Sequence, residues 1–172
     1  EVPDRLPILP LRNNVLFPGV VIPITLGRDK SIKLIQDAYK GNKIIGVVSQ
    51  IDSNIEEPQY VDLFKIGTVA QIIRMLKMPD GSSTIIIQGK KRLKLVEELS
   101  NDPYLVAKIE EFEEKRLKKM SKESLALFDS LKDLALNIIK NSPNIPSEAA
   151  FAIKNIESPN FLVNFISSHM NA

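Results

Sequence analysis

Residues 66–77 read IGTVAQIIRMLK, residues 78–82 read MPDGS, and residues 84–96 read TIIIQGKKRLKLV. The two flanking runs are rich in β-branched residues, which fit a pleated, half-buried surface. The five residues between them have tight-turn chemistry: Pro79 presets φ, and Gly81 tolerates φ > 0. The stretch is expected to be a β-hairpin, and the fold to be built around it.

Working toward the N-terminus, Arg5–Leu11 and Val20–Leu26 are short, apolar and proline-punctuated. Proline has no backbone donor, so Pro7, Pro10 and Pro23 are expected to lie at sheet edges or bulges. Phe17-Pro18-Gly19 reads as a turn. Lys43–Gln50 is a β-branched run between Gly41-Asn42 and Asp52-Ser53-Asn54. Arg28–Tyr39 places Ile32, Ile35 and Tyr39 at helical spacing, so one helix is expected to interrupt the strands. Beyond the hairpin, Tyr104–Phe112 sets Leu105, Ala107 and Ile109 against Val106, Lys108 and Glu110, the alternation of a closing strand.

Near residue 114 the apolar period changes from two to 3.6. Ser121–Lys140 carries Leu125, Phe128, Leu131, Leu134, Leu136 and Ile139 as an amphipathic face, with Ser121 and either Ser124 or Glu123 placed to cap its start. Asn141-Ser142-Pro143 ends it. A second helix is expected over Pro146–Ile156. A third begins at Ser158-Pro159, with Phe161, Leu162, Phe165 and Ile166 facing inward. The expected fold class is α+β: a β-domain over residues 1–113 and a truncated three-helix subdomain over residues 114–172. Three short apolar-faced helices ending at Ala172 suggest a subdomain that expects further partners. The chain opens on Glu1 rather than Met, so upstream residues are expected to have been removed.

The residue inventory narrows the chemistry. There are no cysteines, which excludes disulfides, thiolate nucleophiles and Cys-ligated metals. There is one histidine, His169, near the end of the chain, where a surface role is expected. Carboxylates in Glu110-Glu111-Phe112-Glu113-Glu114 alternate faces on a strand and do not converge on a metal. No phosphate-binding loop is present, and nothing marks a particular Ser–Lys pair. The basic clusters Lys90–Lys94 and Lys115–Lys119 lack stacking aromatics, and acidic neighbours offset both. They read as solvated faces before they read as polyanion contacts. The net charge of +2 adds no nucleic-acid signature. No apolar run is long enough to span a bilayer, and the N-terminus lacks a signal-peptide layout. Met75, Leu76 and Met78 flank the hairpin tip. Methionine is flexible and polarizable, so these three are candidates for binding apolar polypeptide segments, against the plainer reading that they pack under the hairpin.

Several short motifs, in order, resemble one family. Leu6-Pro7-Ile8-Leu9-Pro10-Leu11-Arg12-Asn13, Val15-Leu16-Phe17-Pro18-Gly19, Pro23-Ile24 and Gly27-Arg28-Asp29-Lys30-Ser31 are similar to the start of the Lon protease N-terminal domain. Gly67-Thr68-Val69-Ala70-Gln71-Ile72 and Gly89-Lys90-Lys91-Arg92 continue the match. Pro159-Asn160-Phe161-Leu162 and Ile166-Ser167-Ser168-His169 extend it into the helical segment. The resemblance implies a PUA-like pseudo-barrel followed by helices, from a cytoplasmic, homohexameric parent enzyme. It implies that ATP, Mg and a Ser–Lys dyad act in parent modules absent from this chain, which has no catalytic, cofactor or metal residue of its own. It further implies partners: unfolded or degron-bearing protein substrates, and neighbouring subunits of the same enzyme, without a membrane. Arg28, Asp29 and Lys30, at the start of the first helix, are candidates to meet a substrate or a neighbouring subunit. The plainer reading is helix capping by Asp29. The runner-up function is a stand-alone PUA-like module binding RNA or a small ligand, against which the helical extension argues.

Overall fold

The computed structural model describes residues 2–78, 82–112, 121–141, 150 and 153–169. Its contacts group the chain into two compact units, Glu1–Glu113 and Glu114–Ala172. The first unit runs β1 (Arg5–Leu11), β2 (Val21–Leu26), α1 (Asp29–Lys40) and β3 (Ile44–Ser49). A 3-10 turn at Tyr60–Asp62 follows, then β4 (Ile66–Lys77), β5 (Ser83–Ser100) and β6 (Val106–Glu111).

The hairpin expected from the sequence is β4–β5, and Met78 N–H closes it onto Ser82 C=O at 2.9 Å. The tip residues 79–81 lie outside the described residues. β5 is longer than its sequence run suggested, and its length closes the fold. Residues 83–88 pair with β2, residues 93–100 pair with β6, and β4 holds residues 83–94. β6 also pairs with β1, β1 with β3, and β3 with β4. Five strands therefore form a closed ring, with β2 attached to β5: a pseudo-barrel. Register shifts between β4 and β5 at Val69/Ala70, where Lys90 of β5 is the extra residue, and at Ile72/Arg74, where Ile73 of β4 is, mark bulges, which add the twist that closure needs.

β1 separates two apolar clusters. Leu9 and Leu11 join Leu34, Ile35 and Ala38 of α1, with Ile45, Ile72, Ile85 and Ile87. Leu6 and Ile8 join Val48, Val69, Leu93, Leu95, Ala107 and Ile109. A strand buried on both faces reads as continuously apolar. This corrects the expectation for two prolines. Only Pro23 lies on a strand with a single neighbour; Pro7 and Pro10 lie on β1, between β3 and β6. The interior position is tolerated because the two ladders are offset. Pairing with β6 covers Arg5–Pro7, and pairing with β3 covers Ile8–Leu11. Strand alternation turns each missing N–H toward a stretch of edge without a ladder partner.

The turn at Phe17-Pro18-Gly19 forms as expected. Gly19 takes φ 83°, and Val20 N–H donates to Phe17 C=O at 3.2 Å. Gly19 N–H donates to Gly89 C=O, and Gly89 N–H to Val20 C=O, each at 2.9 Å, so the turn is stitched onto β5. The helix expected at Arg28–Tyr39 is α1, with Arg28 as its N-cap residue and no side-chain cap. Asp29 therefore sits inside the first turn, where its charge suits the helix dipole, and does not cap.

In the second unit, α2 (Lys122–Asn141) and α3 (Pro159–Ser168) are described. Ser121 Oγ accepts from Ser124 N–H at 3.1 Å, and Ser158 Oγ accepts from Phe161 N–H at 3.4 Å. The expected Pro146–Ile156 helix falls largely outside the described residues; Ala150, Ile153 and Lys154 are helical. Ala135, Ile153, Ile156 and Leu162 form the core of this unit, with Phe128, Leu131, Ile139, Phe161 and Phe165 packed against it. Leu125 and Leu134 were expected on the apolar face but are 46% and 61% exposed. The packed stripe follows Phe128, Leu131, Ala135 and Ile139, and Leu134 is turned about 100° from Ala135 by the helical repeat.

Candidate polypeptide-binding surface

Cross-strand register fixes which side chains share the outer face of the β2–β5–β4 sheet, because directly opposed residues point the same way. Three rows follow: Val21–Gln88–Gln71, Pro23–Ile86–Arg74 and Thr25–Thr84–Leu76. Beside them the bulged Ile73 projects into solvent. Val21, Ile73 and Leu76 are 49%, 50% and 40% exposed. Met78, just beyond β4, is also exposed. The opposite face carries Ile72, Ile85 and Ile87, all buried.

The three residues singled out at the hairpin tip do not share one face. Leu76 lies on the outer face, while Met75 opposes buried Ile85 and packs against the core cluster. Strict alternation from buried Ile72 would turn Met75 outward; the bulge at Ile72/Arg74 inserts one residue and turns it inward. The same bulge exposes Ile73. Nothing in a local pattern reveals it; Val21 and Pro23 join the surface only through the pairing of β2 with β5, and Ile86 through the pairing of β5 with β4.

Arg28, Asp29 and Lys30 line a separate cleft of about 400 Å³, with Glu56, Glu57, Gln59, Asn101 and Tyr104 on its other walls. Arg28 is half-buried. Its Nη2 donates to Gln50 Oε1 at 2.6 Å and to Ile55 C=O at 3.4 Å. Buried Gln50 in turn donates to Asp52 and Ile55 carbonyls at 3.1 and 2.9 Å. Arg28 thus ties the loop after β3 to the start of α1. Burial, and then the neighbouring Arg12 guanidinium, pull its pKa below the usual guanidinium value, while Glu56 and Glu57 raise it. Lys30 Nζ reaches Asn101 C=O at 3.5 Å, and Asn101 Nδ2 donates to Gln59 Oε1. Asp29 is exposed.

The Lys90–Lys94 cluster is not one patch. Lys91 pairs with Glu111 at 2.8 Å, Lys90 donates to Gln88 at 2.7 Å, Leu93 is buried, and Arg92 lies 5.8 Å from the Phe17 ring centre. Residues 113–120, with the second basic cluster and part of the acidic stretch, lie outside the described residues. His169 Nδ1 is 2.9 Å from Phe165 C=O, and its ring lies against that of Phe165, tilted by 43° with centroids 4.6 Å apart. Among the described residues, no His, Cys, Asp or Glu group could hold a metal ion, and no helix is long and apolar enough to cross a membrane.

A family model described as the ATP-dependent protease La (LON) substrate-binding domain matches residues 5–172. The chain belongs to this family. Lon protease of Flavobacterium johnsoniae is 63% identical over 171 residues, covering 99% of this chain and 21% of that protein. Lon protease of Cytophaga hutchinsonii is 52% identical over 172 residues, covering 100% and 21%. The chain therefore spans about a fifth of the Lon proteases it matches. The N-terminal domain of Mycobacterium avium complex Lon protease superposes with a TM-score of 0.75 at 19% identity, over 96% of this chain and 82% of that one. A Lon N-terminal domain protein from Xanthomonas campestris superposes at 0.61 with 18% identity, over 96% and 98%. Both share the fold.

Proposed function

We propose that this chain is the substrate-recognition and subunit-assembly region of a longer ATP-dependent Lon serine protease that degrades misfolded and regulatory proteins. The outer face of β2–β5–β4 supports this reading: Val21, Ile73 and Leu76 stand exposed beside Pro23 and Ile86 on a sheet that already has a buried side. Unfolded chains expose apolar segments, and such a face takes many of them weakly. ATP with Mg²⁺, and a Ser–Lys dyad, belong to other modules of the longer protein. This sequence has no phosphate loop to fit the nucleotide, and none of its residues takes part in those steps. The parent is a cytoplasmic homohexamer, whose six faces raise the effective affinity by about 10²-fold or more.

The test is an NMR titration of the 172-residue chain with a permanently unfolded polypeptide. Binding is expected at roughly 10 μM to 1 mM, with shifts at Val21, Ile73 and Leu76 that persist in moderate salt. Ile73→Ser with Leu76→Ser should weaken it about fivefold or more, whereas Met75→Ala should lower stability and leave affinity unchanged. Shifts confined to Lys90–Lys94 and abolished by salt would replace this reading with polyanion binding.

A further inference from the structure

The barrel is closed along only part of its height. β6 bridges β5 to β1 at Arg5–Pro7. Further along, β2 takes over that edge of β5 but pairs with no second strand among the described residues. A cleft of about 580 Å³ fills the seam, with residues 9–14 on one wall and residues 23–28 on the other. Four consecutive β2 residues line it, although their side chains alternate between faces. The cleft therefore runs along the edge of the strand.

Backbone directions decide what this edge offers. Gly89 N–H donates to Val20 C=O, so Ile22 and Ile24 point toward β5, while Val21, Pro23 and Thr25 point away from it. On the opposite wall Ile8 N–H donates to Leu105 C=O at 2.8 Å, and Gln50 N–H donates to Leu11 C=O on the β3 side. By the same alternation, the backbone of Pro10 faces the seam. Each wall thus presents a proline where a donor would let β1 and β2 zip together. What remains is the Thr25 N–H donor and the carbonyls of Pro10, Pro23 and Thr25. The lining includes Arg12 and Arg28 and no carboxylate. Arg12 is exposed, and among the described residues it makes no ion pair. Arg28 uses one nitrogen on Gln50 and Ile55, leaving further guanidinium donors.

We propose that this seam takes the last residues of a substrate polypeptide, extended along the β2 edge, with their C-terminal carboxylate against Arg12 and Arg28. The inference rests on the reading of the chain as a substrate-recognition region and names the substrate feature that it reads. Strand addition supplies backbone hydrogen bonds without regard to sequence, and the two cations match a terminal carboxylate. The walls are short, which suits a chain end better than a long internal segment.

The experiment titrates the 172-residue chain with acetyl-Thr-Val-Thr-Val as the free acid and as the C-terminal amide. The free acid is expected to bind about tenfold more tightly, and to slow hydrogen exchange at the Thr25 amide. Arg12→Gln should erase the difference between the two peptides without loss of fold, because Arg12 is exposed. Equal binding of acid and amide, or unchanged exchange at Thr25, would overturn the proposal. An unfolded polypeptide with an amidated C-terminus separates the two readings. If it still shifts Val21, Ile73 and Leu76 while acid and amide peptides bind alike, the seam proposal falls alone. If neither peptide nor polypeptide binds, both readings fall.

Discussion

Replacing Gly89 by alanine should cost this fold far more than replacing Gly27. A Cβ on Gly89 would stand 2.3 Å from Phe17 O, 3.0 Å from Phe17 C and 3.2 Å from Pro18 Cα. All three are backbone atoms, so no side-chain rotation relieves the contact. Either the Phe17–Val20 turn or β5 must move, and both hydrogen bonds that join them, Gly19 N–H to Gly89 C=O and Gly89 N–H to Val20 C=O, weaken together. Overpacking of this kind costs about 1–3 kcal/mol, and each hydrogen bond about 1 kcal/mol. A loss of about 2–4 kcal/mol follows for Gly89→Ala. A Cβ on Gly27 meets nothing within 4 Å, so Gly27→Ala should stay within about 0.5 kcal/mol. The chain has no tryptophan, and its three tyrosines, Tyr39, Tyr60 and Tyr104, all lie in the first unit. Tyrosine fluorescence in urea therefore reports that unit alone. The midpoint of Gly89→Ala should fall by roughly 1–2 M with an unchanged slope. Midpoints of the two variants that agree within about 0.3 M would refute the argument.

Other consequences are open to measurement. Thr68 Oγ1 is buried and donates to Leu16 C=O at 2.6 Å, so Thr68→Val should leave that carbonyl unpaired and cost about 1–3 kcal/mol, with Thr68→Ser recovering most of it in urea unfolding. Burial, then Glu98 and Glu97, raise the pKa of Tyr60; burial, then Asp37, raise that of Tyr104. A phenol harder to ionise in the folded state contributes stability that is full below about pH 10 and is lost as pH rises through the folded pKa. The unfolding midpoint should therefore drop in that alkaline window, and Tyr104→Phe should shrink the drop; an alkaline profile identical in both proteins would count against it.

The order of strands and helices was legible because each rests on local chemistry. The hairpin needed only two β-branched runs around Pro79 and Gly81, and the passage to helices needed only a change of period near residue 114. Proline chemistry was also legible, since a missing donor at Pro7, Pro10 and Pro23 had to face somewhere without a partner. Which edge each one faced was not in the sequence. It depends on the offset between the β1–β3 and β1–β6 ladders, a relation that joins residues as far apart in the chain as Arg5 and Lys108. The surface was hidden for the same reason. Met75 and Leu76 look equivalent along the chain, and one bulge at Ile72/Arg74 sends the first inward and the second out. Val21, Ile73 and Leu76 become a single face, and Arg12 and Arg28 become neighbours across a seam, only when β2 docks on β5. Local propensity acts through neighbours in the chain, whereas a site assembles from neighbours in space, and pairing register is the step that converts one into the other.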